Sequence, residues 1–509
     1  MDTLRKRYFY KLFTNLIGLL IGFGTAAIIP RGLGPKAYGD FNFLTNFFNQ
    51  ITGFLDMGTS IGFYTKLSQR QREFGLVSFY IYFSLIISVL VLFFVFVSNS
   101  ISIHKTLWPD QQMFFVWLAA ILGFLAWFLQ VFTKILDAYG LTVPTEKARI
   151  LQKILGLVAI LILFVFQQIK LTQFFIYQYC IVIFLLVAFI RVSEKSGFSF
   201  RQDWKLPMLQ IKKYTKEFYK YSHPLFIYAL IGLIVGILDR WLLQLYSGSV
   251  QQGFYSLSYN IGAICFLFTS AMTPLLMREF AVLYGKNDMQ EMARLFRRYI
   301  PMLYSIAAYF SCFIAVQAEK VIYIFGGKGF KGAIMAVTIM SFYPIHQTYG
   351  QLSGSVFYAT GQTGLYRNIG ITMMLLGLPM TYLLIAPKNK WGLDMGAEGL
   401  AVKMIAIQFI GVNVFLYFNS RFLKLSFWKY FAHQIICVGS LLLMAFLSLN
   451  VVKYFHISSN IVINFLLNGI IYTTSVAALI YFVPSLFGLA RKDIHAVFQR
   501  LSKGIRGWI

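Results

Sequence analysis

Residues 76–98 read LVSFYIYFSLIISVLVLFFVFVS, a run of 23 residues that contains no charged side chain. A helix needs about 20 mostly apolar residues to cross the hydrocarbon core of a bilayer. Similar runs recur to the end of the chain, in which 58% of 509 residues are hydrophobic and only 12% are charged. Soluble proteins carry about 25% charged residues. The sequence therefore predicts an all-α integral membrane protein.

Fourteen segments have the length and the hydropathy of a membrane span, so both termini are predicted to share one side. The predicted spans are 9–29, 41–63, 76–98, 113–135, 149–167, 174–191, 222–245, 254–276, 299–318, 333–352, 366–386, 399–419, 432–450 and 460–484. The second and tenth of these segments carry the most polar residues.

The net charge of +27 is distributed over short loops between the apolar runs and does not form one patch. With the N-terminus in the cytoplasm, the cytoplasmic segments hold about 33 Lys and Arg and the outer segments about 11. This bias predicts two cytoplasmic termini and makes nucleic-acid binding unexpected. The cysteines lie in apolar runs without metal-binding spacing, so no metal or cofactor is predicted.

The longest polar stretch, 191–221, separates six predicted spans from eight. Its part 209–219 is either an amphipathic helix on anionic lipid or a solvated linker. We predict an N-terminal six-helix bundle over 1–195 and a basic cytoplasmic linker over 196–221. A second six-helix bundle over 222–420 follows, and then two additional helices with a basic cytoplasmic tail over 421–509.

The chain contains an internal repeat. GPKAYGDFNFLTN at 34–46 and GSVQQGFYSLSYN at 248–260 share the pattern G-x4-G-x-[FY]-x4-N, about 214 residues apart. LDAYGLTVP from residue 136 and FYATGQTGL from residue 357 form a second pair at an offset of about 221. Because an even number of spans separates the copies, they have parallel orientation. This predicts two pseudo-symmetric bundles around a central cavity.

The stretch IIPRGLGPKAYGDFNFLTNFFNQITGFLDMGTS, residues 28–60, resembles the first loop of the Wzx-type polysaccharide-repeat flippases of the multidrug/oligosaccharidyl-lipid/polysaccharide (MOP) exporter superfamily. The matching residues of the R-x-LGP-x-x-YG signature are Arg31, Leu33, Gly34, Pro35, Tyr38 and Gly39. Lys36 departs from the family, which usually has an acidic residue there.

The resemblance implies a flippase in the bacterial cytoplasmic (inner) membrane. Such a protein moves polyprenyl-pyrophosphate-linked oligosaccharide from the cytoplasmic to the outer leaflet, by alternating access through a cationic cavity. The product would feed the synthesis of O-antigen, capsule or exopolysaccharide. Anionic membrane lipids and other polysaccharide-assembly membrane proteins are the expected partners.

Cations that could meet an anionic head group lie in or beside the spans. Ionisable residues within spans are costly, at roughly 2.5–3.5 kcal/mol each on insertion scales, and so suggest a cavity. The candidates are Arg31, Lys134, Arg149, Lys153, Arg240 and Arg367. Arg240 can bind pyrophosphate with two parallel hydrogen bonds, or it can pair with a neighbouring helix. Positive-inside topology explains the cations of the turn after span four equally well.

Two further sets of residues have polar side chains at membrane depth. Candidate sugar contacts are Asn46, Gln50, Tyr255, Tyr259 and Asn260, although packing explains most aromatic residues. Candidates for ion coupling are Asp56, Asp239 and His346, since no nucleotide-binding loop is visible. Because Asp56 is near the cytoplasmic end, it better suits a solvated or capping role, and His346 better suits a packed one.

Three rival functions are compatible with a membrane protein of this size. One is an exporter of the same fold for drugs or another lipid-linked precursor, although cation-drug exporters need acidic cavities. Another is a membrane enzyme, but no GxSxG, HExxH, P-loop or paired-carboxylate motif is present. The charged pair Asp239 and Arg240 inside a span argues against a scaffold. The sequence therefore predicts a transporter and not an enzyme.

Overall fold

The structure, a computed structural model, describes residues 4–56, 59–70, 73–195, 206–223, 226–270, 272–455 and 460–491. Over these residues its regular elements are helices, with no β-strand among them. The α-helices are α1 (Leu4–Asp56), α2 (Thr59–Gln69), α3 (Phe74–Ser100), α4 (His104–Leu107), α5 (Met113–Ala138), α6 (Thr142–Val165), α7 (Leu171–Lys195), α8 (Met208–Ser222), α9 (Phe226–Ser270), α10 (Thr273–Gly285), α11 (Met289–Val316), α12 (Ala318–Phe325), α13 (Ile334–Met340), α14 (Tyr343–Ala359), α15 (Thr363–Ile385), α16 (Gly396–Phe422), α17 (Phe427–Tyr454) and α18 (Ile461–Phe482).

The helices follow the predicted spans. Ten helices of the described part are long and apolar enough to cross a membrane. Helices α1 and α9 each take in parts of two predicted spans and change direction at an internal glycine, and the spans 41–63 and 254–276 continue into α2 and α10. The tenth predicted span, 333–352, falls on two helices, α13 and α14, which are too short to span singly. The all-helical membrane fold is confirmed, while the count of fourteen spans stays a prediction.

The outer surface of α3 shows why lipid is required. Ile86, Val89 and Phe93 are 59%, 63% and 61% exposed, although each is large and apolar. A soluble monomer rarely exposes a contiguous apolar patch of this kind. The chain is a multi-pass membrane protein.

The first compact unit runs from Met1 to Gly253. Its core is rich in fully buried aromatic side chains, among them Phe43, Phe48, Tyr80 and Trp108. The unit includes the seventh predicted span, which the predicted limits place in the second bundle. The predicted domain limits themselves stay a prediction.

The polar linker ends in a helix that packs against this unit. On α8, Tyr214 and Phe218 are buried, and their rings lie 5.4 and 5.7 Å from the ring of Phe79 on α3. Lys66 and Arg70 both pair with Glu217 of α8. Residues 208–222 therefore form an amphipathic helix that docks on the first unit, while its predicted contact with anionic lipid stays a prediction. Residues 196–205 of the predicted linker lie outside the described residues.

The second compact unit runs from Phe254 to Ile509. Tyr304 on α11 and Tyr349 on α14 meet edge to face at 5.4 Å in its core. The two additional helices pack on α11, since Tyr472 of α18 donates a hydrogen bond to the carbonyl of Tyr309 at 2.9 Å. The predicted basic tail beyond Arg491 lies outside the described residues.

Candidate functional site

Two glycines break the long helices at equivalent places. Gly34 interrupts α1 with φ 71° and ψ 169°, and Gly248 interrupts α9 with φ 75° and ψ −177°. Essentially only glycine adopts this region of backbone conformation. The two residues occupy the first position of the repeat motif, and Gly140 and Gly361 of the second pair also share a positive φ. The sequence repeat is therefore a repeat of backbone structure.

The motif also produces a close helix crossing within the first unit. A Cβ atom added to Gly39 would collide with the carbonyl oxygen of Ser249, and one added to Gly253 would collide with the carbonyl oxygen of Pro35. Gly39 and Gly253 are equivalent in the repeat, as are Pro35 and Ser249. The contact is thus reciprocal, and it leaves no room for a side chain at either glycine.

Buried amides surround this crossing. Gln244 and Gln252 of α9 are fully buried. The Gln244 amide donates to the Ser249 hydroxyl at 3.1 Å and to the Pro109 carbonyl at 3.2 Å. Gln111 donates to the Asp40 carboxylate at 2.7 Å. Together these bonds tie α1, α9 and the segment between α4 and α5 to one another beside the glycine breaks.

Arg240 joins this network. Its guanidinium donates to Gln252 Oε1 at 3.1 Å, and the Gln252 amide donates back to the Arg240 carbonyl. The two residues lie on opposite sides of the Gly248 break, so the pair braces the corner between spans seven and eight. Asp239, beside it, is buried. Pairing with a neighbouring helical segment, one of the two interpretations of Arg240, is what this geometry shows.

Three of the predicted cations lie around the turn between α5 and α6. Arg149 lies 3.3 Å from Glu146 and donates to the Thr133 hydroxyl at 3.0 Å, while its guanidinium faces the ring of Phe189 at 5.8 Å. Lys134 faces the ring of Tyr64 at 5.6 Å.

The third of these cations, Lys153, donates to the carbonyl of Thr14 on α1 at 3.2 Å. All three cations are therefore positioned by contacts within the first unit. Arg149 keeps 29% of its side chain exposed, and its planar fork suits phosphate oxygens.

The remaining candidates of the first unit differ in their surroundings. Arg31 is exposed on α1, three residues before the break. Asn46 has a buried Oδ1 atom that accepts no hydrogen bond from the described residues. Gln50 packs against Gly236 of α9.

Asp56 has a clear structural role. Its carboxylate accepts hydrogen bonds from the Ser60 backbone N–H at 2.9 Å and the Ser60 hydroxyl at 2.8 Å. The hydroxyls of Thr59 and Tyr80 also lie 3.2 Å from it. A carboxylate at the start of a helix satisfies backbone donors and suits the helix dipole. Asp56 therefore caps α2.

The second unit contains a line of tyrosines. Tyr255 is buried and its ring lies 6.5 Å from that of Tyr259, which lies 5.2 Å from that of Tyr343. Asn260 follows on an exposed face of α9. Arg367 is exposed on α15 and contacts the neighbouring Asn368 side chain at 3.3 Å.

His346 lies apart from these residues. It is buried edge to face against Phe409 at 5.4 Å. It lines a cavity of about 620 Å³, together with Tyr304, Ile345, Gln434 and Leu442. Its Nδ1 atom has no hydrogen-bond partner among the described residues.

Several residues that the sequence patterns did not single out hold these sites together. Asp40, Gln111, Gln244 and Gln252 form the network beside the breaks, and Tyr343 completes the tyrosine line. Asp40 stands within the quoted motif, and the glutamines are polar residues inside or beside apolar runs. Those signals were present, but their pairing depends on which helices meet.

The family model described as "Polysaccharide biosynthesis protein" matches residues 4–278, more than half of the chain. The chain belongs to this family. The match covers both copies of the glycine motif and the cations of the α5–α6 turn. No curated protein matches the sequence at a significant level.

Solved structures show the fold of this family member. The lipid II flippase MurJ, in an inward closed conformation, is 12% identical with a TM-score of 0.64, over 93% of this chain and 98% of that one. An inward-facing multidrug resistance MATE transporter of the MOP superfamily is 16% identical with a TM-score of 0.62. The match covers 81% of this chain and 95% of that one. An outward-facing multidrug resistance MATE transporter of the same superfamily has a TM-score of 0.52 at 16% identity, over 82% of this chain and 95% of that one. The predicted MOP exporter fold is confirmed.

Proposed function

We propose that this chain is a flippase that carries polyprenyl-pyrophosphate-linked oligosaccharide from the cytoplasmic to the outer leaflet of the bacterial inner membrane by alternating access. The match to polysaccharide biosynthesis proteins over residues 4–278 carries the proposal. A charged, sugar-rich head group cannot cross hydrocarbon unaided, because losing its hydration costs too much free energy. A biosynthesis protein with a transporter fold supplies the route.

The α5–α6 turn supports an anionic substrate. Lys134, Arg149 and Lys153 cluster at the predicted cytoplasmic end of the first unit. Arg149 is held by Glu146 and Thr133 with part of its guanidinium accessible. A fixed, partly exposed guanidinium suits a pyrophosphate better than a mobile one, since less side-chain entropy is lost on binding. We assign this turn to capture of the pyrophosphate.

The tyrosine line supports sugar recognition. Tyrosine rings present an apolar face and a hydroxyl, which together fit the faces and hydroxyls of sugars. Tyr259 and Asn260 are the proposed contacts, with the buried Tyr255 and Tyr343 as their neighbours. Ion coupling through Asp239 or His346 stays a prediction, and Asp56 is already engaged as a cap.

The test is deletion of the gene followed by analysis of the membrane lipids. Loss of a flippase should cause pyrophosphate-linked oligosaccharide to accumulate in the inner leaflet, and the intact gene should clear it. A normal lipid-linked pool with altered drug sensitivity would contradict the proposal and favour a drug exporter of the same fold.

Expression of variants in the deletion strain tests the proposed pyrophosphate site. Arg149→Ala should restore less than about a tenth of transport at normal protein level, because a charge-assisted hydrogen bond of about 1.5–3 kcal/mol is lost. Lys147→Ala removes a charge from the same turn and serves as the matched control. Equal transport by the two variants would remove Arg149 from the proposed site.

A further inference from the structure

An apolar groove lies between α3 and the amphipathic helix α8. Its volume is about 620 Å³, within the range of roughly 300–1,000 Å³ that is typical of ligand pockets. Phe79, Phe83 and Ile86 line it on α3, and Ile211 and Phe218 line it on α8. The groove belongs entirely to the first unit and is separate from the residues assigned to transport.

The groove fits within the depth of one bilayer leaflet. Phe79 and Ile86 are seven residues apart on α3, so the groove extends about 11 Å along that helix. The hydrocarbon of one leaflet is about 15 Å thick. Ile86 is 59% exposed and continues into the exposed apolar surface of α3. The groove is thus accessible to a lipid chain from the membrane side.

The charges of α8 are divided between two faces. The helix carries four lysines and one glutamate. Glu217 and Lys213 pair inward, with Lys66 and Arg70 and with Glu73 respectively. Lys212 and Lys216 are exposed and lie one turn apart on one face.

These two lysines border the groove, because each lies three residues before a residue that lines it, Thr215 and Tyr219, and residues three apart are neighbours on a helix surface. Met208 and Tyr219, on the same side of α8, are 66% and 67% exposed, as expected of a helix that lies in the membrane interface. The groove can therefore accept an apolar chain, and the two lysines beside it can accept an anionic group.

We infer that this groove binds one anionic diacyl phospholipid of the leaflet that α8 faces, with an acyl chain between α3 and α8 and the phosphate on Lys212 and Lys216. The ion pairs of Glu217 and Glu73 hold α8 in place against α3. The lipid would act as a fixed part of the first unit. The inference does not depend on the proposed transport activity.

The test is native mass spectrometry of the full chain titrated with phosphatidylglycerol or phosphatidylcholine of identical acyl chains. The unmodified protein should retain one phosphatidylglycerol in preference to phosphatidylcholine. The double variant Lys212→Glu, Lys216→Glu should lose this preference by roughly 25-fold, since each basic side chain near an anionic lipid contributes about fivefold. Lys286→Glu, an exposed lysine at the end of α10, is the matched control.

A second variant separates the groove from the charges. Thr215→Trp fills the groove from an exposed position on α8, so it should reduce the retention of both lipids to the same extent. Unchanged retention in Thr215→Trp, or an unchanged preference in the lysine variant, would show ordinary surrounding lipid only and overturn the inference. Displacement of phosphatidylglycerol by an equal amount of polyprenyl phosphate would also overturn it, in favour of a substrate chain.

A measurement on the unmodified protein covers the case in which a variant does not fold. Phosphatidylglycerol with a diazirine in its acyl chain should cross-link to peptides of α3 and α8 more than to α17 or α18. Cross-links spread evenly over the exposed apolar helices would contradict a defined site.

Discussion

At the scale of single residues, a charge inside a membrane helix has two possible explanations, and Arg240 shows how they differ. Its guanidinium and carbonyl both bond to Gln252 across the helix break. This pairing offsets part of the free energy that burying a cation in the membrane costs. A structural brace and a substrate contact therefore need to be separated by experiment.

Arg240→Ala and Gln252→Ala both break the brace, but only the first removes the charge. If Arg240 binds substrate, Arg240→Ala should abolish transport while Gln252→Ala retains most of it at equal protein level. The measurement is clearance of lipid-linked oligosaccharide in a deletion strain. Equal losses in the two variants would assign Arg240 to the brace alone.

At the scale of elements, the helix crossing of Gly39 and Gly253 is the tightest backbone contact of the repeat motif. Gly39→Ala should lower the apparent melting temperature in detergent, since the added methyl group meets the carbonyl of Ser249 and overpacking costs about 1–3 kcal/mol. Gly253→Ala should have a similar effect through Pro35.

The control for this pair is Gly22→Ala in α1, where an added Cβ meets nothing within 4 Å. It should leave the melting temperature unchanged or slightly higher, because alanine favours helix over glycine. The double variant Gly39→Ala, Gly253→Ala should lose less than the two single losses combined, since both separate the same segments. Full additivity would mean that the two contacts are independent.

The docking of α8 should depend on pH. Lys66 lowers the pKa of Glu217 through a hydrogen bond, to which its charge and that of Arg70 add. Burial raises the pKa of Glu73, but hydrogen bonds from Tyr214 and Arg70 outweigh it and leave the pKa below the ordinary value of 4.5. A depressed carboxyl pKa contributes stability that is present above the unfolded value and lost as pH falls through the folded one.

Hydrogen exchange measures this dependence. Amide exchange in α8 should rise by up to about tenfold when the pH falls from 6 to below 4.5, after correction for intrinsic rates, as expected from a few exposed ion pairs of up to about 1 kcal/mol each. Glu217→Gln should raise exchange at neutral pH and reduce its pH dependence. Exchange in α8 that does not respond to pH in the unmodified protein would contradict this account of the docking.

At the scale of the whole molecule, the charge bias predicts which loops face the cytoplasm. In a cysteine-free background, Lys286→Cys should react with a membrane-impermeant maleimide only from the cytoplasmic side. Trp391→Cys, at a site that is 90% exposed in a predicted outer loop, should react only from outside. Labelling of both positions from one side would show that the number of spans between them is even and that the assigned topology is wrong.

Much of this molecule followed from its sequence. Runs such as 76–98 required helices in lipid, because a bilayer offers no water to backbone N–H and C=O groups. The repeat motif has Gly34 and Gly248 at the same place in both copies, and both adopt a positive φ that favours glycine. Motif and composition together also pointed to the exporter fold that the comparisons confirm.

Other features depended on which helices face each other. The pairing of Arg240 with Gln252, the meeting of Gly39 with Ser249 and the packing of α8 on α3 appear only in the tertiary structure. Hydrophobic periodicity identifies the buried face of a helix but does not name its partner, because lipid and neighbouring helices are almost equally apolar. The sequence by itself determined a helical membrane protein with a repeated glycine motif, and only tertiary packing decided which polar side chains meet.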